Sequence, residues 1–330
     1  MAEPRFDVIG IGNAIVDVLA HADDDFLAAE GLTKGAMTLV DADKSNHLYE
    51  KLGPAVECSG GSAANTIAGL AALGGAGAFV GKVRDDQLGD VFRHDIRALG
   101  VAFDTPASES GPPTATSMIL VTPDAQRTMQ TFLGACAGLG PDDIDEVWIG
   151  DARVIYLEGY LWDPPAAKQA FAKAANAAHQ ADRKVALTLS DPFCVDRHRD
   201  EFLALAEHHV DLLFANEQEI MSLYRTENFD ESLQAVRAHC EIAALTRSAK
   251  GSVIVSGDEV HVIDAEPVAD LVDTTGAGDA YAAGFLFGLT SGRDLAACAR
   301  IGGIAAAEVI SHLGARPDGS LKAVVEEKLG

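Results

Sequence analysis

The chain has 330 residues, 48% of them hydrophobic, which at ~150 residues per domain suggests about two domains with a substantial core and excludes a largely disordered chain. Its 50 acidic against 25 basic residues leave a formal net charge of −25, which repels nucleic acid and anionic lipid and reads first as a source of solubility. Cys58, Cys136, Cys194, Cys240 and Cys298 are odd in number, widely spaced and without a CxxC, which argues against a disulfide framework or a structural zinc and fits the cytoplasm.

In chain order, Phe6 to Ile11 reads as a first strand. The apolar stretch around it is broken by Asn13 and Asp17 and follows no basic segment, so it does not read as a targeting signal. Cys58 to Gly81 carries no charge, but hydrocarbon would penalise its glycines, Ser59, Ser62, Asn65 and Thr66. It therefore reads as a buried loop, a small-residue helix over 62–74 and a strand over 76–81. Thr114 to Val121, a turn at Pro123-Asp124-Ala125, and Arg127 to Phe132 read as a β-hairpin. With the residues after Asn13, this hairpin is assigned to a β-rich lid over 13–45 and 101–135. The core then comprises 1–12, 46–100 and 136–330.

Beyond residue 150 strands and helices alternate. Strands are expected at Val154–Leu157, Val185–Leu189, Val210–Ala215 and Ile242–Thr246. Asp163-Pro164 reads as a helix cap with proline in the first turn, followed by Ala167, Ala170, Phe171, Ala174 and Ala178 at helical spacing. Glu201–Glu207 and Glu217–Tyr224 read as further helices. The pattern predicts an α/β fold with a mostly parallel sheet covered on both faces and ligands beyond the strand C-termini.

Asp273-Thr274-Thr275-Gly276-Ala277-Gly278-Asp279 precedes the apolar run Ala280–Leu289. Glycines at a helix entrance let the backbone approach a ligand, and the first-turn N–H groups make an anion site. Asp279 would repel a bound phosphate, so its placement makes sense if it takes the proton of a hydroxyl attacking that phosphate. A plain N-cap with a glycine turn is the alternative. In Ser59-Gly60-Gly61-Ser62-Ala63-Ala64-Asn65 the glycines permit close backbone approach, and the Asn65 amide both donates and accepts, which suits a polyhydroxyl ligand. Helix capping at Ser62 is the alternative. Gly10 to Asp17 is a partial dinucleotide fingerprint with Ile15 in place of the third glycine. Asn13 and Asp17 put an amide and a carboxylate just past the first strand, suited to sugar hydroxyls. Asn216 and Glu219, after the strand VDLLFA, suit either the water shell of Mg²⁺ or a helix cap. Thr246-Arg247 with Lys250-Gly251, and Arg127 on the hairpin, offer positive charge for phosphates.

Taken in order, GNAIVD, GGSAAN, NEQE, TRSAKG and DTTGAGDAYAAGF resemble the ribokinase/PfkB family of carbohydrate and nucleoside kinases over nearly the whole chain. The resemblance implies a ribokinase-like three-layer α/β/α core with a small lid, and ATP-dependent phosphorylation of a sugar or nucleoside hydroxyl. It implies Asp279 as base, with the Gly276, Ala277 and Gly278 amides as anion hole. By the same matching Asn13, Asp17, Gly60, Gly61 and Asn65 would hold the sugar. Asn216 and Glu219 would organise Mg²⁺ through water, and Asn216, Thr246, Arg247, Gly251, Gly276 and Gly278 would meet ATP. Asp273 and Thr275 match part of a K⁺ site. GGSAAN, LTLSDPF (187–193) and FANEQE (214–219) resemble the adenosine kinase branch, implying transfer to a nucleoside 5′-hydroxyl, adenosine to AMP, with Leu39 and Leu161 against the base and Ser117 nearby. A sugar kinase of the same family, acting on ribose or fructose, is the nearest alternative. A nicotinamide-dependent oxidoreductase is a more distant one. The expected partners are small molecules, with neither nucleic acid nor membrane, and the expected state is a monomer or homodimer.

Overall fold

A computed structural model describes residues 3–124 and 126–329. Ala125 of the expected turn lies outside the described residues, as do residues 1, 2 and 330 of the expected core. In chain order the strands are β1 (Phe6–Ile11), β2 (Ile15–His21), β3 (Met37–Leu39), β4 (Ala55–Gly60), β5 (Gly77–Val80), β6 (Ala115–Val121) and β7 (Arg127–Phe132). They continue with β8 (Ala152–Glu158), β9 (Lys184–Thr188), β10 (Leu212–Asn216), β11 (Ile242–Thr246), β12 (Ser252–Ser256) and β13 (Glu259–Ile263). Eight form one sheet in the order β13-β12-β11-β10-β9-β8-β1-β5, and five form another in the order β3-β7-β6-β2-β4.

The large sheet is parallel from β5 to β11 and ends in two antiparallel strands. Its strands are apolar on both faces because both are covered. Val8, Val154, Tyr156, Leu212, Phe214 and Ile254 pack with the helices Ser62–Ala72, Gln87–Ala98 and Ala277–Thr290. Ile9, Ile155, Leu157, Leu187, Leu213 and Leu245 pack with the helices Pro165–Gln180, Pro192–His208 and Glu217–Tyr224 on the other side. The result is a three-layer α/β/α body. Among the described residues no helix is long and apolar enough to cross a membrane.

Small residues set the geometry of the site. A Cβ added at Gly69 would lie 2.9 Å from the Ala283 Cβ, so the helices Ser62–Ala72 and Ala277–Thr290 pack backbone to backbone. Their N-termini therefore emerge side by side at the C-terminal edge of the large sheet.

Several boundaries differ from expectation. β4 belongs to the small sheet, pairing antiparallel with β2, whereas the sequence places 46–100 in the core. Residues 101–103 run along β5 through the Ala78–Ala102 bridge, and Phe103 is buried against Phe79 and Phe92, so this part of the expected lid stays with the core. Burial of Phe103 explains the difference, since an apolar ring outweighs a hairpin pattern that begins only at residue 114. Pro164, not Asp163, caps the helix Pro165–Gln180, because Asp163 turns back to pair with Arg197 and His198. The helix expected at 201–207 extends over Pro192–His208, with Asp191 accepting from the Cys194 amide.

Candidate active site

Asp279 stands in the first turn of the helix Ala277–Thr290. Its Oδ1 accepts from Ser62 Oγ at 2.6 Å, and its Oδ2 accepts from Asn65 Nδ2 at 3.4 Å. Burial raises its pKa to about 6, against the lowering effect of those two donors and of the Arg316 guanidinium. Gly276 takes the left-handed conformation (φ 76°), and a Cβ there would meet Ala315 at 2.7 Å. Of the amides expected in the anion site, that of Ala277 closes a turn on the Thr274 carbonyl at 3.2 Å. Those of Gly278 and Asp279 have no acceptor among the described residues, and the space beside Gly278 is open. The geometry is a buried carboxylate beside unspent backbone donors at the positive end of a helix.

Asp17, on β2, faces the same region. Burial raises its pKa to about 6, opposed by Arg316 and Arg127 and assisted by the Asp279 charge. A Cβ at Gly60 would lie 2.3 Å from Asp17 Oδ2, and one at Gly61 (φ 100°) 2.2 Å from the Asn13 carbonyl. The two glycines therefore serve the approach of β4 to β2. Asn13 is directed inward: its Nδ2 donates to Glu158 Oε1 at 2.7 Å. Glu158, buried at the end of β8, also accepts from the Ala63 amide at 2.8 Å and so caps a helix whose own N-cap is glycine. Burial raises its pKa to about 7. A Cβ at Gly12 would lie 2.3 Å from Glu158 Oε2. Gly12 of GIGNAI thus makes room for a carboxylate, which repels the pyrophosphate that a dinucleotide fingerprint would hold, while Gly10 makes room for Ile67.

The small sheet carries one line of residues in register. Leu39 on β3 pairs with Thr131 on β7, Thr131 with Ser117 on β6, and Ser117 with Asp17 on β2. Cross-strand neighbours share a face, so these four lie on one side of the sheet. Ser117 and Thr131 hydroxyls hydrogen-bond at 3.0 Å, and Leu39 is 54% exposed. Leu161, expected opposite Leu39, does not join them. It is buried in the core beneath the large sheet with Leu157, Ala167 and Phe171, because a short 3₁₀ turn at Gly159–Trp162 rotates it inward.

Arg127, the first residue of β7, lies with Nη2 2.8 Å from Asp273 Oδ2 in a buried ion pair, while its Nε is buried without an acceptor among the described residues. Asp273 further accepts from the Thr275 amide at 3.0 Å and the Gly314 amide at 3.0 Å. The Asp273 carboxylate, expected with Thr275 to form part of a K⁺ site, is thus engaged by these three donors.

On the nucleotide side, Asn216 and Glu219 form a reciprocal capping box. Asn216 Nδ2 donates to Glu219 Oε1 at 2.6 Å, the Asn216 amide donates to Oε2 at 2.9 Å, and the Glu219 amide donates to Asn216 Oδ1 at 2.9 Å. Glu219 is buried, with its pKa raised to about 7 by that burial. These atoms fit helix capping and offer Mg²⁺ no direct ligand. Among the described residues no group of three or more His, Cys, Asp or Glu is arranged to hold a metal. Arg247, after Thr246 at the end of β11, is likewise committed: Nη2 donates to Glu217 at 2.7 Å and the guanidinium lies 4.1 Å from the Phe229 ring centre. Gly251 (φ 80°) closes the turn against β13, where a Cβ would strike the Ile263 carbonyl.

Sequence reading missed Glu158, Arg316, Asp95 and Thr131. Glu158 ends the strand VIYLE at the ligand edge, a signal that was present. Arg316 lies in the segment GARPDG between two helices, where nothing local marks it. Its Nε donates to Asn65 Oδ1 at 3.1 Å and its Nη1 to Asp95 Oδ2 at 3.1 Å.

A carbohydrate kinase model, that of the pfkB family, matches residues 37–322. The structure of adenosine kinase from Sinorhizobium meliloti is 53% identical in sequence, with a TM-score of 0.91 covering 98% of this chain and 99% of that one. A probable sugar kinase from Rhizobium etli CFN 42 is 51% identical, also with a TM-score of 0.91 and the same coverage. The ATP-dependent ribose-1-phosphate kinase of Halopiger xanaduensis is 34% identical over 70% of this chain and 73% of its own length. The three-layer body, the second small sheet, the carboxylate at a glycine-rich helix entrance and these likenesses agree: the chain belongs to the pfkB family of carbohydrate kinases, with a ribokinase-like fold and the activity of an ATP-dependent kinase.

Proposed function

We propose that the chain transfers the γ-phosphoryl group of ATP to the 5′-hydroxyl of a nucleoside, converting adenosine to AMP. The observation that carries this reading is the in-register line Asp17, Ser117, Thr131, Leu39, which starts beside Asp279 and runs out to exposed apolar surface. A nucleoside laid along it puts ribose hydroxyls at Asp17, base polar atoms near the Ser117 and Thr131 hydroxyls, and the base ring over Leu39. Asp17 to Thr131 spans two strand spacings, about 10 Å.

In this reading the 5′-hydroxyl oxygen attacks the γ-phosphorus while its proton passes to Asp279. The bond from that phosphorus to the bridging oxygen of ADP breaks, and ADP leaves. A carboxylate with a pKa of about 6 is mostly ionised at neutral pH, yet is a stronger base than an ordinary aspartate. The Gly278 and Asp279 amides and the unpartnered Arg127 Nε supply donors for phosphoryl oxygens. Mg²⁺ arrives with ATP as part of the co-substrate.

Burial of Leu161 favours a second reading, since the base then has one apolar wall from the expected pair, and a free sugar or sugar phosphate needs none. The test is ADP formation from Mg·ATP with adenosine, guanosine, inosine, cytidine, ribose, fructose and ribose 1-phosphate. Turnover with adenosine well above the rest is the expected result. Turnover confined to the sugars or the sugar phosphate overturns the nucleoside assignment in favour of the second reading.

A further inference from the structure

Arg316 touches both the Ser59–Asn65 segment and the helix Gln87–Ala98. Through Nε it donates to Asn65 Oδ1 at 3.1 Å, and through Nη1 to Asp95 Oδ2 at 3.1 Å. The same Asp95 oxygen accepts from the Ser59 amide at 2.8 Å and from Ser59 Oγ at 2.6 Å. Ser59, the penultimate residue of β4 before Gly60, pairs with Val16, next to Asp17. An asparagine amide has two faces of opposite polarity, and its neighbours decide which way it points. Arginine has donors only, so the Asn65 oxygen must face Arg316. The Nδ2 of Asn65 must then face Asp279, where it lies 3.4 Å from Oδ2. The remaining donor, Arg316 Nη2, is buried without an acceptor among the described residues. Buried donors of this kind are rare in a finished core and mark a place where something else completes the site.

We propose that Arg316 is a positioning residue for phosphoryl transfer: it fixes the Asn65 carboxamide so that Nδ2 faces Asp279, and ties that pair to Asp95 and the Ser59 segment. The role extends the kinase reading above and rests on it. It requires the two geometric contacts and the charge together. Lysine keeps the charge but cannot reproduce two separately aimed donors on a planar fork.

The charge has a consequence for titration. The groups around Asp279 are Ser62 and Asn65 from one helix, Asp17 from β2, Glu158 and Tyr156 from β8, Tyr160 after it, and Arg316. Arg316 opposes the burial that raises both Asp279 and Asp17, whereas Arg127 acts on Asp17. Without Arg316 the Asp279 carboxylate titrates at higher pH.

The experiment compares the full chain with Arg316→Leu and Arg316→Lys. It reads kcat, KM and the acid limb of kcat/KM for the best substrate of the panel, and the Asp279 carboxyl titration by ¹³C NMR in the free protein. For Arg316→Leu the expected result is a loss of about tenfold or more in kcat, the acid limb and the NMR titration both moving to higher pH. For Arg316→Lys the acid limb stays in place and kcat still falls several-fold. Should Arg316→Leu fail to fold, Arg316→Lys alone decides, and a wild-type kcat in it overturns the role. A folded Arg316→Leu with unmoved titration and kcat within twofold overturns it too. A rise in KM alone overturns it as well, since that outcome describes a substrate contact. Failure of the kinase reading is distinct: the unsubstituted chain would then turn over nothing in the panel, and the role falls with the reaction.

Discussion

The Ser62 hydroxyl donates to Asp279 Oδ1 at 2.6 Å, joining two helix N-termini 217 residues apart in the chain. The contact exists because Gly69 and Ala283 let the two helices approach to backbone distance. One helix brings the small-residue segment that closes on β2, and the other brings the Asp279 carboxylate and the first-turn amides. Ser62 thus caps no helix of its own. It points across to the neighbouring helix and holds the carboxylate that would accept the proton.

Replacing that carboxylate should separate binding from chemistry. Asp279→Asn is expected to lower kcat by roughly 10²–10⁴, the usual contribution of a general base, with little change in KM. Steady-state kinetics on a folded, pure variant check this, and a near-wild-type kcat removes Asp279 as base.

The acid limb of kcat/KM should fall near pH 6, where Asp279 titrates, and not near the ordinary aspartate value of 3.8. Ser62→Ala removes a donor that favours the ionised form, so its acid limb should move to higher pH. A limb that moves down or not at all in Ser62→Ala contradicts the hydrogen bond as the cause.

Glu158 should set part of the pH dependence of stability. Its pKa is raised from 4.5 to about 7 on folding, so the folded state holds the proton more tightly than the unfolded state. Its contribution is therefore fully present below about pH 4.5 and is lost as pH rises toward 7. Glu158→Gln cannot titrate, so the Tm of the natural chain relative to this variant should decline between pH 5 and 8. A difference that stays flat over that range sinks the assignment.

Gly61→Ala should be costly. The position has φ 100°, and the new Cβ would meet the Asn13 carbonyl at 2.2 Å. Backbone strain plus the clash predict a loss of about 1–3 kcal/mol in denaturant unfolding, or a displaced β4 with a raised substrate KM. Retention of both stability and KM contradicts the close packing of Gly61 on Asn13.

Leu39 and Leu161 should behave differently despite their shared expectation. Leu161→Ala opens a cavity in the core and should cost about 2–5 kcal/mol of stability. Leu39→Ala, at an exposed position, should leave Tm nearly unchanged and raise the nucleoside KM. A stable Leu161→Ala with a raised KM would restore Leu161 to the substrate pocket.

Much of the architecture was legible because it is local. β1, the helix Glu217–Tyr224 and β11 begin and end at the expected residues, since a continuous apolar run or a capping Asn-x-x-Glu specifies each within its own few residues. The glycine-rich entrance before Asp279 was legible for the same reason: a left-handed turn followed by an apolar helix has a short signature. β4 was missed because Ala55–Gly60 acquires its strand character from β2, and Phe103 left the expected lid because its burial partners, Phe79 and Phe92, lie elsewhere in the chain.

The site divides the same way. Composition and motif order alone pointed to an acidic α/β kinase and to Asp279 as the candidate base. Tertiary structure decided which of the other candidates face that carboxylate. It turned Asn13 toward Glu158, Glu219 toward Asn216, Arg247 toward Glu217 and Leu161 into the core, and it brought Arg316 to Asn65. Each of these outcomes is a choice of hydrogen-bond or packing partner for a side chain that local sequence leaves with several. Burial makes the choice, because a polar group removed from water must find a partner wherever the fold has placed one.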